Sequence, residues 1–161
     1  MSSLNGDMMT EKKPTIVLAT GAFDILHYGH VRFFEEAKKA GGKNSRLIVI
    51  VASDRTVEAR KGRKPVLPEW ERRALVASLR VVDESFIGFE DIEMEKIIER
   101  LRPDIIAVGY DQNDIEKRVR QLIATKGYAI RLVKLERYGS EDLDSSSKIM
   151  GRILENWKKR P

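Results

Sequence analysis

Thr20-Gly21-Ala22-Phe23-Asp24-Ile25-Leu26-His27-Tyr28-Gly29-His30 decides how the rest of the chain is read. The apolar run Thr15-Ile16-Val17-Leu18-Ala19 enters it with the pattern of a strand buried on both faces. A helical pattern leaves it. Val31, Phe34 and Ala37, with Phe33 beside them, share one face, and Gly41-Gly42 stops the run. The stretch is therefore a strand-to-helix crossover carrying His27 and His30 near the first helical turn. Residues three apart lie on one side of a helix, here next to its amide-rich positive end. Donors converging on so small a volume suit an anion, most simply a phosphate. Gly21 and Gly29 would let backbone approach it closely.

Other readings of the same residues are open. Two histidines at this spacing can hold a metal, but the chain has no cysteine and only these two histidines. They can also be ordinary core or surface residues. A dinucleotide fingerprint fits poorly, because Gly-x-Gly-x-x-Gly is not spelled. Both histidines fall in one glycine-bearing crossover, and that favours phosphate chemistry.

Outward from this stretch the chain alternates strand and helix. Arg46–Ala52 reads as a second strand, with a short helix from Asp54 and a helix from Pro68-Glu69 to Leu79. Val82–Gly88 reads as a third strand, Ile92–Leu101 as a helix ended by Pro103, and Asp104–Gly109 as a fourth strand. Asp114–Thr125 reads as a helix, Tyr128–Leu135 as a fifth strand, and a last helix, capped near Ser145, runs to Lys158. This order predicts an α/β, Rossmann-like, doubly wound parallel sheet in a single domain, residues 14–161, behind a polar N-terminal tail, residues 1–13. Ligands bind such sheets outside the carboxyl ends of the strands, so Gly21 and Gly109 should face one crevice.

Composition narrows the class. With 34% charged and 42% hydrophobic residues the chain reads as a soluble globular protein, without a membrane-length apolar run or signal-peptide core. A cytoplasmic location is expected. The absence of cysteine removes disulfides and thiol nucleophiles. A net charge of +5 suits an anionic partner, nucleotide or nucleic acid.

Several other stretches can carry chemistry. Lys38 lies about two helical turns beyond His30, from where it could reach back over the crevice. Lys61-Gly62-Arg63-Lys64-Pro65 is either a solvated basic loop or a lid over phosphates. Asp111, in Gly109-Tyr110-Asp111-Gln112, can accept from a base amino group or a ribose hydroxyl. Ser145, Ser146 and Ser147 offer hydroxyls and free amides at a helix start, where a phosphate can sit.

GAFDILHYGH resembles the G-x-F-D-x-x-H-x-G-H signature of the nucleotidyltransferases related to cytidylyltransferases. The resemblance covers roughly residues 15–155. It implies that Gly21, Ala22, Phe23, Asp24, His27, Tyr28, Gly29 and His30 line a nucleotide site, the two histidines stabilising charge at the α-phosphate. Lys38, in AKKAGG, matches a lysine that meets the triphosphate. Arg73 falls where the family has a helix arginine facing the site, with Arg72 beside it as the alternate. Asp144-Ser145-Ser146-Ser147-Lys148-Ile149 is similar to the family's triphosphate-binding S-T/S-S/T-x-I element. The R-T-x-G-I-S string is replaced by Arg137-Tyr138-Gly139-Ser140, where Tyr138 either contacts the nucleotide or only packs. The Asp-Gln form of the Gly109–Gln112 turn resembles archaeal FAD synthases.

That resemblance implies transfer of AMP from ATP to FMN, with Mg²⁺ held mainly by substrate phosphates, no nucleic-acid or membrane partner, and a homodimer. The alternatives are a CTP-dependent cytidylyltransferase acting on glycerol phosphate or a similar alcohol phosphate, a heptose-phosphate nucleotidyltransferase, and a basic nucleic-acid-binding protein with a degenerate site.

Overall fold

A computed structural model describes residues 12–88 and 94–159. The element order is β1 (Thr15–Gly21), α1 (Tyr28–Ala40), β2 (Ser45–Val51), α2 (Asp54–Lys61), α3 (Glu69–Ala77), β3 (Glu84–Ile87), α4 (Met94–Leu101), β4 (Ile105–Val108), α5 (Asn113–Lys126), β5 (Arg131–Lys134) and α6 (Ser146–Lys158). The strands form one sheet in the order β3-β2-β1-β4-β5, and every neighbouring pair is parallel. The expected doubly wound architecture is therefore present.

Alternation along β1 sends side chains to both faces of the sheet. Val17 and Ala19 pack with Phe33, Phe34 and Ala37 of α1 and with Val76 of α3. Leu18 packs on the other side with Met94 and Ile98 of α4 and Val119 of α5. Such double burial explains why these strands read as continuous apolar runs. Because the chain builds outward from β1 in both directions, its order reverses between β1 and β4. A crevice opens at that switch point, above the carboxyl ends of the strands.

The third and fifth strands are shorter than their apolar patterns. Val82 is buried in a turn, its amide bonded to the Leu79 carbonyl, and Tyr128 and Ile130 pack beside the second core cluster before β5 begins. The expected start of α4 at Ile92, and residues 1–11 of the expected tail, lie outside the described residues. No described helix is long and apolar enough to cross a membrane. Helix α6 has no fully buried residue, and its N-terminal turn is bonded to the β1–α1 loop through Ser146.

Candidate active site

The β1–α1 loop is held in a conformation that its residues do not favour. Phe23 and Ile25 have φ of 49° and 52°, in the left-handed region that non-glycine residues avoid at a cost on the order of 1–3 kcal/mol each. Packing and hydrogen bonds offset that cost. The Phe23 ring is buried, 4.8 Å from Phe34, 6.3 Å from Phe33 and 5.4 Å from His30, centroid to centroid. The Asp24 carboxylate, also buried, accepts from the Val66 amide at 2.8 Å and the Leu67 amide at 3.0 Å. Arg72, fully buried, donates to the carbonyls of Ala22, Ala52 and Leu67 and to Asp54 at 2.5–2.9 Å.

These contacts show where several of the expected site residues stand. The Phe23 and Asp24 side chains shape the loop from within and have no free surface for a nucleotide. Of the two helix arginines Arg72 is the buried one, and it supports the loop from beneath, while Arg73 beside it is half-buried. A Cβ on Gly21 would lie 2.7 Å from the Phe23 ring, and one on Gly29 would lie 2.8 Å from the Tyr138 carbonyl. The two glycines thus make room for the chain itself rather than for a ligand.

His27 is the N-cap of α1, in extended conformation and without a side-chain cap, and no acidic residue follows in the first turn. The His30 and Val31 amides bond to the His27 carbonyl, which leaves those of Tyr28 and Gly29 without an intrahelical acceptor. The two imidazoles stack at 3.8 Å between centroids. Burial, reinforced by His27 and then by Lys61, pushes the His30 pKa down to about 3. Burial also lowers that of His27, and Asp144 partly opposes the shift. Both rings are therefore neutral at pH 7. Their Nδ1 atoms are buried without a hydrogen-bond partner, which leaves Nε2 as the ring nitrogen open to one. Among the described residues no third histidine or carboxylate joins them in a metal-binding group.

Three segments wall this point. On one side α2 ends at Gly62 (φ 68°), and Lys61 lies near enough to His30 to depress its pKa. The basic loop after it is pinned by Asp24 through Val66 and Leu67. It therefore lies along the crevice rather than away from it. On the opposite side Gln112 ties β4 to β1. Its Oε1 accepts from the Gly109 amide at 2.8 Å and its Nε2 donates to the Thr20 carbonyl at 2.7 Å. Gly21 and Gly109 thus stand at the carboxyl ends of the neighbouring strands β1 and β4, and Asp111 is exposed beside them. Across the top, Ser145 caps α6 by accepting from the Lys148 amide at 3.3 Å, and the Ser146 hydroxyl donates to the Asp24 carbonyl. Ser147 is exposed beside them. The amino ends of α1 and α6 thereby meet over the same loop, each presenting amides and no acidic side chain in its first turn.

Lys38 is elsewhere. Helix α1 runs antiparallel to β1, so eight residues carry the chain about 12 Å from the crevice. Its Nζ lies 2.8 Å from Asp83 Oδ2, an oxygen that also accepts from the Leu47 amide at 2.7 Å. This is the amino end of the sheet, opposite the site. Tyr138 packs against the core cluster under Arg32, whose guanidinium is 5.9 Å from the ring centre. Sequence reasoning did not single out Asp144. Its buried carboxylate pairs with Arg137 at 2.5 Å and Lys148 at 3.0 Å. The signal was an acidic residue immediately before a serine cap, which reads equally as a solvated turn.

Comparison with known proteins adds an independent line. A Cytidylyltransferase-like family model matches residues 18–152. The FAD synthase of Aciduliprofundum boonei is 45% identical over 139 residues, 86% of this chain and 90% of that protein. The FAD synthase of Methanothermus fervidus is 44% identical, over 86% of this chain and 94% of that one. Among solved structures, a lipopolysaccharide core biosynthesis protein of Thermoplasma volcanium superposes with a TM-score of 0.69 at 38% identity, covering 78% of this chain and 98% of that one. A pantoate-beta-alanine ligase of Francisella tularensis, 13% identical, shares the fold with a TM-score of 0.61 over 95% of this chain and 74% of its own.

Proposed function

Because the chain belongs to the cytidylyltransferase-like family, we propose that it transfers AMP from ATP to the phosphate of FMN, releasing pyrophosphate and forming FAD. The relatives that carry the name FAD synthase support the substrates. The observation that carries the chemistry is the pair of neutral, stacked imidazoles at the amino end of α1, facing the amino end of α6.

An oxygen of the FMN phosphate attacks the α-phosphorus of ATP in line. The new P–O bond forms as the bond from the α-phosphorus to the bridging oxygen breaks, and pyrophosphate leaves with that oxygen and its electron pair. Nothing in the crevice serves as a protein nucleophile, so catalysis consists of positioning and charge stabilisation. His27 and His30 donate from Nε2 to phosphate oxygens on which charge develops. Free amides at the start of α1, together with the Ser145–Ser147 turn, hold the triphosphate. Lys61, near His30, neutralises charge as the pyrophosphate departs. Asp111 accepts from the nucleoside.

The donor set around the phosphates is hydroxyl, amide and imidazole, while Asp24 and Asp144 are engaged by amides and cations. Mg²⁺ on this reading arrives with the nucleotide, held by phosphate oxygens and water, and supplies further charge neutralisation. The test is purified protein with Mg²⁺, ATP or CTP, and a panel of FMN, glycerol phosphate and sugar phosphates. FAD should form only from ATP and FMN. Turnover of CTP with an alcohol or sugar phosphate, and none with FMN, would replace this reading by that of a cytidylyltransferase.

A further inference from the structure

Resting on the reading of the crevice as a phosphate site, we propose that the two stacked histidines take up one proton when a phosphate binds, that His27 carries it, and that Asp144 is the residue that places it there. The two rings are not equivalent. His30 lies 5.4 Å from the Phe23 ring, edge to face, and 3.8 Å from the His27 ring. His27 instead adjoins the loop that leads into α6. A Cβ on Gly29 would come within 2.8 Å of the Tyr138 carbonyl and 3.0 Å of the His27 ring. One on Gly139 would lie 3.7 Å from Asp144 and 3.8 Å from Tyr28. That loop therefore packs on the first turn of α1 and brings a carboxylate whose side chain is 1% exposed.

The carboxylate is unevenly used. Arg137 Nη2 donates to Oδ1 at 2.9 Å, and Lys148 Nζ is 3.0 Å from the same oxygen. Oδ2 is buried and makes no hydrogen bond, and neither does the buried Nδ1 of His27. Burial by itself would push the Asp144 pKa up, but Lys148 and Arg137 hold it below the ordinary value, so it is ionised at neutral pH. A buried anion with an unfilled oxygen favours a cation beside it. Two imidazoles at 3.8 Å repel strongly when both are charged, so the pair draws one proton from water rather than two. Among the described residues, the charged groups around the pair are Asp144, its partners Arg137 and Lys148, and Lys61 at the end of α2. Burial lowers the pKa of both rings; Asp144 opposes that for His27, whereas His27 and Lys61 deepen it for His30. His27 then meets the phosphate as an imidazolium and His30 as a neutral donor. Asp144 is a positioning residue that acts through His27.

Because the chain has only two histidines, proton–nitrogen NMR spectra of the imidazoles follow each ring through a pH titration, and His30→Gln supplies the assignment. With pyrophosphate saturating at pH 7, wild type should show His27 protonated and His30 neutral. Asp144→Asn should lower the His27 midpoint by about one pH unit, with and without pyrophosphate, and move that of His30 much less. Lys148→Ala removes a cation and should move the His27 midpoint up. The two variants thus have opposite signs, and Lys148→Ala carries the test should Asp144→Asn fail to fold. A carboxylate with a merely structural role would change the melting temperature and leave both midpoints in place.

A proton on His30 instead of His27, or on both rings, would overturn the proposal. So would a His27 midpoint unchanged in Asp144→Asn, or one that does not rise in Lys148→Ala. If pyrophosphate does not bind wild type, the proposed function fails; the order of the two midpoints in the empty protein, and its dependence on Asp144, still decides what the carboxylate does.

Discussion

The depressed pKa of His30 makes the stability of the empty protein depend on pH in a calculable way. In the unfolded chain a histidine titrates near 6.5, whereas in the folded protein burial, His27 and Lys61 hold His30 to about 3. Below pH 6.5 the unfolded chain therefore binds a proton that the folded one refuses. Stability rises with pH through this window, is fully present above it, and is lost as pH falls toward 3. Linkage between these two values gives a loss of about 2 kcal/mol from pH 7 to pH 5, and His27 adds to it in the same direction. For a chain of this size that corresponds to roughly 4–8 °C in melting temperature.

Urea unfolding at the two pH values, wild type against His30→Gln, isolates the contribution, because the carboxylates cancel in the difference. The variant should lose about 2 kcal/mol less than wild type on acidification. An equal loss in both proteins would refute the burial of a neutral ring at this position. Saturating pyrophosphate should flatten the wild-type dependence, since an anion beside the imidazoles favours their protonated form.

Replacing either histidine removes a donor to developing charge, so His27→Ala and His30→Ala should each lower kcat on the order of a hundred- to a thousandfold with the fold retained, as checked by circular dichroism. Asp111→Ala should weaken ATP by roughly ten- to a hundredfold, as read by titration, while pyrophosphate binding is unchanged; equal weakening of both would move Asp111 to the phosphates. Asp24→Asn loses charge from two buried hydrogen bonds and should cost about 1–3 kcal/mol, with faster hydrogen exchange at the Val66 and Leu67 amides as its local mark. Lys38→Ala should leave turnover within about twofold and stability within about 1 kcal/mol, because its pair with Asp83 is partly exposed and distant from the crevice; a tenfold fall in turnover would contradict that placement.

The order of elements was legible because burial on both faces of β1, β2 and β4 leaves uninterrupted apolar runs, and proline and glycine mark the ends of β1 and β4. The histidine pair was legible because the strand-to-helix crossover that places it is local. What failed was reach across space. Lys38 reads as near His30 along one helix face, yet the rise of that helix carries it to the other end of the sheet. Arg72 and Arg73 are indistinguishable as neighbours in sequence, and only the packing of α3 against the β1–α1 loop shows that the former is buried. Gly21 and Gly29 announce a close approach without saying what approaches. Asp144 gave only an ambiguous signal, because a buried carboxylate is recognised by the two cations that fold over it, one of them seven residues away in a loop.

The segment between α2 and α3 is anchored twice, by the last turn of α2 at Lys61 and by the bonds of Asp24 to Val66 and Leu67. Only Gly62 to Pro65 span the gap. The five steps from Lys61 to Val66 have a contour of about 18 Å, so with both ends tied the middle travels no more than about 9 Å. Such a segment is a short bridge rather than a swinging flap. Its span, rather than the chemistry of its lysines, then limits how far it can lift from the amino end of α1.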